Sequence, residues 1–263
     1  MRLCTYRDRD GSRLGTVDDG TVVPLAGRDV RDALDRVPGP DGPAVALADV
    51  ELLAPLRPGK LIGVGLNYRD HAAETGAQLP AEPLLFAKLV TSVAAPAAEI
   101  ARPAYTEELD YEGELAVVIG RLARDVPAVR ALEHVFGYAV MNDVTARDRQ
   151  RDEPQWVRAK GGDTFAPFGP WVTTADEVPD PQALAIRTTV NGELRQDGST
   201  SDMIFPVAAL VAWCSASFTL EPGDVITTGT PAGVGVASGS FLAPGDRVVV
   251  QIDGLGSLDN TVR

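Results

Sequence analysis

Between residues 56 and 263 the chain is cut into short apolar runs rich in Val, Ile, Thr and aromatics. They read "KLIGVGLN", "LLFAKLV", "GELAVVIG", "VFGYAVMND", "FGPWVTT", "AIRTTVNGELRQ", "DVITTGTP" and "DRVVVQIDG". β-Branched and aromatic side chains suit a pleated surface, and runs this short between turn residues predict strands. Asn191-Gly192 separates two of them and predicts a type I′ hairpin turn. Helical spacing is rarer, in "RDHAAETG", "VPAVRALEHV", "ARDRQRDE" and "FPVAALVAWCSAS". The pattern predicts a mainly β body with a few peripheral helices, an α+β fold.

Ahead of that body, residues 1–24 predict short strands with a hairpin at Asp19-Gly20. "GRDVRDALDRV" has helical spacing at Val30, Ala33, Leu34 and Val37, and "PGPDGP" ends it. The expected organisation is a small N-terminal α+β domain over 1–55 and a main domain over 56–263. No repeat, low-complexity tract or long linker interrupts it.

Charge narrows the partners. With 24 Lys and Arg against 37 Asp and Glu, the formal net charge is −13. Nucleic acid and anionic membrane surfaces attract basic patches, so neither is expected as a partner. The two cysteines, Cys4 and Cys214, are far apart in sequence and predict neither a zinc site nor a disulfide framework. The N-terminal "MRLCTYRDRDGSR" lacks the apolar core of a signal peptide. No apolar run approaches the roughly 18 residues of a membrane helix. A soluble, cytoplasmic protein is the expectation.

The stretch with most chemical content is "ELDYEGELAVVIG", residues 108–120. Side chains alternate faces on a strand, so Glu112 and Glu114 point the same way, with Ala116 and Val118 beyond them. Tyr111, Leu115, Val117 and Ile119 form the opposite, core-like face. Two adjacent carboxylates repel each other. Either that face is solvated or a cation neutralises it. "GYAVMNDVTARDRQ" adds a third acid, Asp143, at a strand's end just before a helical segment. Asp143 there is either a helix N-cap or a ligand. As ligands, Glu112, Glu114 and Asp143 make an all-oxygen site suited to Mg²⁺ or Mn²⁺.

Around these acids lie candidate partners. Arg147 and Gln150 stand four and seven residues after Asp143, on one side of it if the segment is helical. Lys160 sits beside Gly161 and Gly162 in "WVRAKGGDTFAPFGPW". Taken singly, each of these residue types is more often solvated surface. The glycine-rich "TTGTPAGVG" predicts a loop whose backbone amides approach an anion, without the Gly-Lys-Ser/Thr of a phosphate loop. His71, one of only two histidines, precedes Glu74 by three residues in "GLNYRDHAAE". The pair is either decoration on a helix or a base and the group that orients it. His134, in "ALEHVFG", reads as structural or exposed.

In collinear order, "GVGLNYRDHAAE", "LDYEGELAVVIG", "YAVMNDVTARDRQ", "AKGGDTFAPFGPW", "NGELRQDGSTSDMIFP" and "LEPGDVITTGTPAGVG" resemble the fumarylacetoacetate hydrolase superfamily over residues 56–263. The N-terminal unit resembles the small domain of many bacterial members, including acylpyruvases and 2-hydroxyhepta-2,4-diene-1,7-dioate isomerases. The resemblance implies a mixed β-roll catalytic domain in a homodimer, with Mg²⁺ or Mn²⁺ on Glu112, Glu114 and Asp143. It implies that His71 and Glu74 are the water-activating dyad on a lid segment. Lys160 is the implied stabiliser of negative charge, with Arg147, Gln150 and Thr230 lining the pocket of a keto-acid substrate.

The expected activity is metal-dependent C–C hydrolysis of acylpyruvates or related β-diketo acids. The same site can serve a decarboxylase or isomerase–tautomerase of 2-keto or 2-hydroxy-dienoic diacids. A non-catalytic small-acid-binding relative is the reading from another class, and the complete set of site residues argues against it. Two departures from the family pattern stand out. Gly162 replaces a bulky residue, which predicts a wider pocket, and Leu89 replaces a proline after Lys88, which predicts altered lid rigidity.

Overall fold

The computed structural model describes residues 1–9 and 11–263. Its main strands are β1 (Arg2–Asp8), β2 (Gly11–Asp18), β3 (Thr21–Pro24), β4 (Val45–Ala46), β5 (Leu61–Gly65), β6 (Leu84–Lys88) and β7 (Gly113–Ile119). They continue with β8 (Val135–Asn142), β9 (Ala166–Thr174), β10 (Ala185–Val190), β11 (Glu193–Ser199), β12 (Val225–Thr227), β13 (Arg247–Ile252) and β14 (Gly256–Thr261). The helices used below are α1 (Arg69–Thr75), α2 (Arg147–Asp152), α3 (Val157–Lys160) and α4 (Val207–Ser217).

The large mixed sheet runs β4-β3-β2-β1-β9-β8-β7-β12-β5-β6 along its main path. Neighbours are antiparallel except β12 and β5, which run parallel with Val225 opposite Leu61. A four-stranded sheet, β11-β10-β13-β14, packs its inward residues Ile186, Val250, Ile252 and Leu258 into the same core as Leu115 and Val117. The result is the expected α+β fold with a β-roll-like body.

The N-terminal strands do not stand apart from that body. β1 pairs with β9, Leu3 opposite Val172, so they extend the main sheet. Leu3, Leu14, Leu25 and Val30 then share a core cluster with Ala116, Val118, Ala139 and Met141. Strand β7 is therefore buried along its whole length, with one core on each face. This decides between the two readings of its glutamate face, which is not solvated: Glu112 and Glu114 are 5% and 1% exposed.

Both predicted hairpin turns form. Asp19 and Gly20 have φ of 40° and 73°, and Asn191 and Gly192 have 53° and 83°, the positive pairs a type I′ turn needs. Two predicted helices shrink. Residues 28–37 give only a 3₁₀ turn at Val30–Ala33, capped by Asp29 accepting from the Arg31 amide at 2.8 Å. "VPAVRALEHV" gives one α-turn, Ala128–Ala131, and a 3₁₀ turn. The length between flanking prolines and strands is too short for propagation to repay helix nucleation. Strand β14, "GSLDNT", was not expected, because only Leu258 among its inward positions is apolar.

Candidate active site

The site forms where β7 and β8 meet. Gly113 lies opposite Asn142, which sets Glu112 and Asp143 side by side; the Asp143 amide donates to the Glu112 carbonyl at 2.8 Å. Glu112, Glu114 and Asp143 each offer a carboxylate oxygen, all within 4.8 Å of one another, and all three are buried. Asp143 is not an N-cap. Ala146 takes that position before α2, and residues 145–146 pair as a short strand with 109–110.

Three buried carboxylates are tolerable only with opposing charge. The cations come from three segments. Lys160, at the end of α3, donates through Nζ to Glu112 Oε2 at 2.7 Å and to Asp143 Oδ2 at 2.9 Å. Lys88, at the end of β6, reaches Asp143 Oδ1 at 2.5 Å and also donates to the Lys160 carbonyl. Arg147 places Nη2 2.6 Å from Glu112 Oε1, while Nε donates to Asp110 Oδ2 at 2.8 Å. Arg147 Nη1 donates to Gln150 Oε1 at 2.9 Å. Because residues 143–146 are not helical, Arg147 and Gln150 do not line up on a helix with Asp143. They belong to α2, where Arg147 binds Asp110 and Glu112 and Gln150 accepts from Arg147.

The three acids are electrostatically unequal. Burial raises the Glu112 carboxyl's pKa, but Lys160 and Arg147 outweigh it and hold the group far below the usual range. Burial, reinforced by Asp143 and Glu112, pushes Glu114 well above its usual value. Glu114 instead takes neutral donors, the Thr227 hydroxyl and the Gly229 amide at 2.8 Å. Burial likewise lowers the Lys88 ammonium, only partly offset by Asp143.

The glycine-rich loop does approach anions, but they are the protein's own. Its amides reach Glu114 from Gly229, Glu74 from Gly233 at 2.9 Å, and Asp110 from Gly235 at 2.7 Å and Val236 at 3.0 Å. Gly233 has φ of +100°, and a Cβ there would sit 2.0 Å from the Arg195 carbonyl oxygen. Only glycine fits the turn that delivers that amide. Asp110 and Lys88 are the site-building residues the sequence did not single out for chemistry.

A cavity of about 300 Å³ opens over the acids. Its wall includes Glu112, Glu114, Arg147, Gln150, Lys160, Thr230 and, on α1, His71. Asp143 lies beneath, fully buried behind the two lysines. His71 Nδ1 faces Glu74 Oε2 at 3.3 Å, so the two form a pair along α1. Thr230 Oγ1 donates to the Gly113 carbonyl at 2.9 Å and accepts from Gln196 Nε2 at 2.7 Å. His134 lies elsewhere, half-buried, with Nδ1 2.9 Å from the Leu122 carbonyl.

The glycine expected to widen the pocket does not widen this cavity. Gly161 and Gly162 do not line it, and the space beside Gly162 is filled by the Phe165 ring, 3.0 Å from where a Cβ would be. Leu89 packs over Gly161 at a corresponding 3.0 Å. Lys88, the residue before it, donates to Asp143.

The donor set suits a divalent cation: hard carboxylate oxygens, close together, with no thiolate or imidazole among them. A family model described as fumarylacetoacetate (FAA) hydrolase C-terminal matches residues 60–263, and one described as Rv2993c-like, N-terminal matches residues 1–55. Protein Rv2993c of Mycobacterium tuberculosis is 44% identical over 264 residues, covering 100% of this chain and 98% of that protein. The structure of fumarylacetoacetate hydrolase from Exiguobacterium antarcticum superposes with a TM-score of 0.92 at 39% identity, covering 100% and 99% of the chains. That of 2-hydroxyhepta-2,4-diene-1,7-dioate isomerase from Mycobacterium marinum gives 0.87 at 41% identity, covering 100% and 98%. No helix among the described residues is long and apolar enough to cross a membrane. With this triad at the end of β7 and kinship along its whole length, the chain belongs to the fumarylacetoacetate hydrolase family, as a metal-dependent enzyme.

Proposed function

We propose that this enzyme hydrolyses a C–C bond in acylpyruvates or related β-diketo acids. One observation carries the reading: a single small cavity is walled by carboxylates of an all-oxygen triad and by a histidine paired to a glutamate. Glu112, Glu114 and Asp143 would hold Mg²⁺ or Mn²⁺, which when bound polarises substrate oxygens as a Lewis acid.

The remaining work falls to the chain. With Nδ1 turned to Glu74, His71 uses Nε2 to take a proton from water in the cavity. The hydroxide adds to the substrate's distal carbonyl carbon, whose oxygen becomes an oxyanion. Lys160 has three N–H bonds; Glu112 and Asp143 take two, and the third serves that oxyanion. Collapse of the oxyanion breaks the C–C bond and gives a free acid and the enolate of pyruvate. The proton held by His71 then returns to the enolate carbon. Gln150 orients a substrate oxygen through its Nε2, and Thr230 lines the pocket beside it, its hydroxyl hydrogen held by the Gly113 carbonyl until a substrate oxygen takes it.

A second reading keeps the site but omits the attack by water: decarboxylation or isomerisation of 2-keto or 2-hydroxy-dienoic diacids. The Mycobacterium marinum isomerase, 41% identical, favours it. In either case the partner is a small keto acid. The net charge of −13 argues against nucleic acid, and a cytoplasmic homodimer is the form we expect.

The test is turnover of acylpyruvates and oxaloacetate by purified protein with Mg²⁺ or Mn²⁺ and a chelator control. Loss of the diketo-enol absorbance with release of pyruvate and free acid supports the hydrolase. Metal-dependent CO₂ release from oxaloacetate alone replaces it with a decarboxylase.

A further inference from the structure

Arg147, Arg151 and Lys160 are the cationic side chains on the cavity wall. Two of them are already committed. Lys160 bridges Glu112 and Asp143, and Arg147 is spent on Asp110, Glu112 and Gln150; their side chains are 2% and 6% exposed. Arg151 differs in exposure and in its partners. It sits one residue beyond Gln150 on α2, with its side chain 59% exposed, and it touches none of the triad. Its guanidinium is held by Glu108, Nη1 to Oε2 at 3.0 Å and Nη2 to Oε1 at 3.3 Å, with Asp152 3.4 Å from Nε.

An exposed ion pair of this kind is worth little, about 0–1 kcal/mol, so Glu108 is readily exchanged for another carboxylate. A guanidinium fork is also shaped for two-point binding of a carboxylate. The cavity thus has a reacting end at the triad and, at its rim, a cation whose counter-ion can be replaced.

We propose that Arg151 receives the far carboxylate of a dicarboxylate substrate, and that Glu108 is a stand-in holding it at the cavity mouth. This inference rests on the keto-acid reading above and narrows it to keto diacids over keto monoacids of the same length. The stand-in carboxylate keeps the fork in place and yields to the substrate.

The test uses two ligands of equal length that cannot undergo β-diketone cleavage, 2-oxoadipate and 2-oxohexanoate, titrated calorimetrically into Mn²⁺-loaded protein. Their only difference is a terminal carboxylate in place of a methyl group. The diacid should bind about tenfold more tightly, the scale of one added charge-assisted contact. In Arg151→Gln that ratio should fall to near one, and Arg151→Lys should restore part of it. In Glu108→Gln, which removes the competitor, the diacid should bind more tightly than in the parent.

Equal affinities in the parent protein, or a ratio that survives Arg151→Gln, would overturn the assignment while leaving the hydrolase reading intact. Weaker diacid binding in Glu108→Gln would overturn it independently, even if the arginine variants fail to fold. Binding of neither ligand would overturn the keto-acid reading itself, and this assignment with it.

Discussion

Lys88 Nζ lies 2.5 Å from Asp143 Oδ1, and both side chains are completely buried. The pair joins the end of β6, an edge strand of the large sheet, to the acid that closes β8. Through its second donation, to the Lys160 carbonyl, Lys88 also fixes the segment that carries the other lysine. Without Lys88 the Asp143 carboxylate keeps only Lys160, which Glu112 already shares, and breaking a buried pair in this way destabilises by about 3 kcal/mol. Lys88→Met should therefore lower stability by about that amount in denaturant unfolding with chelator present, so that no metal repays the loss. A loss below about 1 kcal/mol would show that Lys160 alone suffices to neutralise Asp143.

His71 pairs with Glu74 and makes no hydrogen bond to the triad carboxylates. If it activates water, His71→Ala should cut turnover by about 10²–10⁴-fold. Mn²⁺ affinity, measured by calorimetry on the same variant, should stay within about twofold, since the carboxylate donors are untouched. A parallel loss of metal binding would assign His71 to site assembly instead of proton transfer.

Much of this site was legible because its residues lie at fixed offsets along single strands. Glu112, Glu114 and Asp143 stand at the ends of runs whose alternation identifies them as strands, and the Gly-rich loop announces close backbone approach. What could not be read was which residues from distant segments would neutralise them. Lys88 ends an unremarkable apolar run, 55 residues from its partner. Nor does alternation reveal that β7 is covered on both faces, because one cover is supplied by the N-terminal strands. The same limit misdirected the reading of Gly162. A missing side chain is an open pocket or a filled one depending on the neighbour, and the neighbour is Phe165.

Asp110 is the hub that sequence reading passed over. It accepts from the amides of Tyr111, Gly235 and Val236 and from Arg147 Nε, and its side chain is fully buried. Asp110→Asn turns one acceptor oxygen into an NH₂ that faces donors, and it removes the charge opposite Arg147. We expect a loss of about 3 kcal/mol or more in stability. Weaker metal binding should accompany it, because Arg147 is then free to pull Glu112 from its position. Calorimetric Mn²⁺ titration alongside unfolding checks both. Full retention of metal affinity in a destabilised variant would confine Asp110 to the fold.

Gly162→Ala separates the two accounts of the second glycine in "AKGGDTF". If the glycine widened the pocket, a methyl group there would narrow it and change the relative rates on short and long keto acids. In the structure the methyl meets the Phe165 ring at 3.0–3.1 Å, and Phe165 is fully buried in the main core and cannot swing into solvent. Overpacking of that kind costs about 1–3 kcal/mol. The expected outcome is a lower midpoint in thermal unfolding with an unchanged ratio of kcat/KM between short and long substrates. A stable variant with an altered ratio would return Gly162 to the pocket wall and reopen the question of what the missing side chain admits.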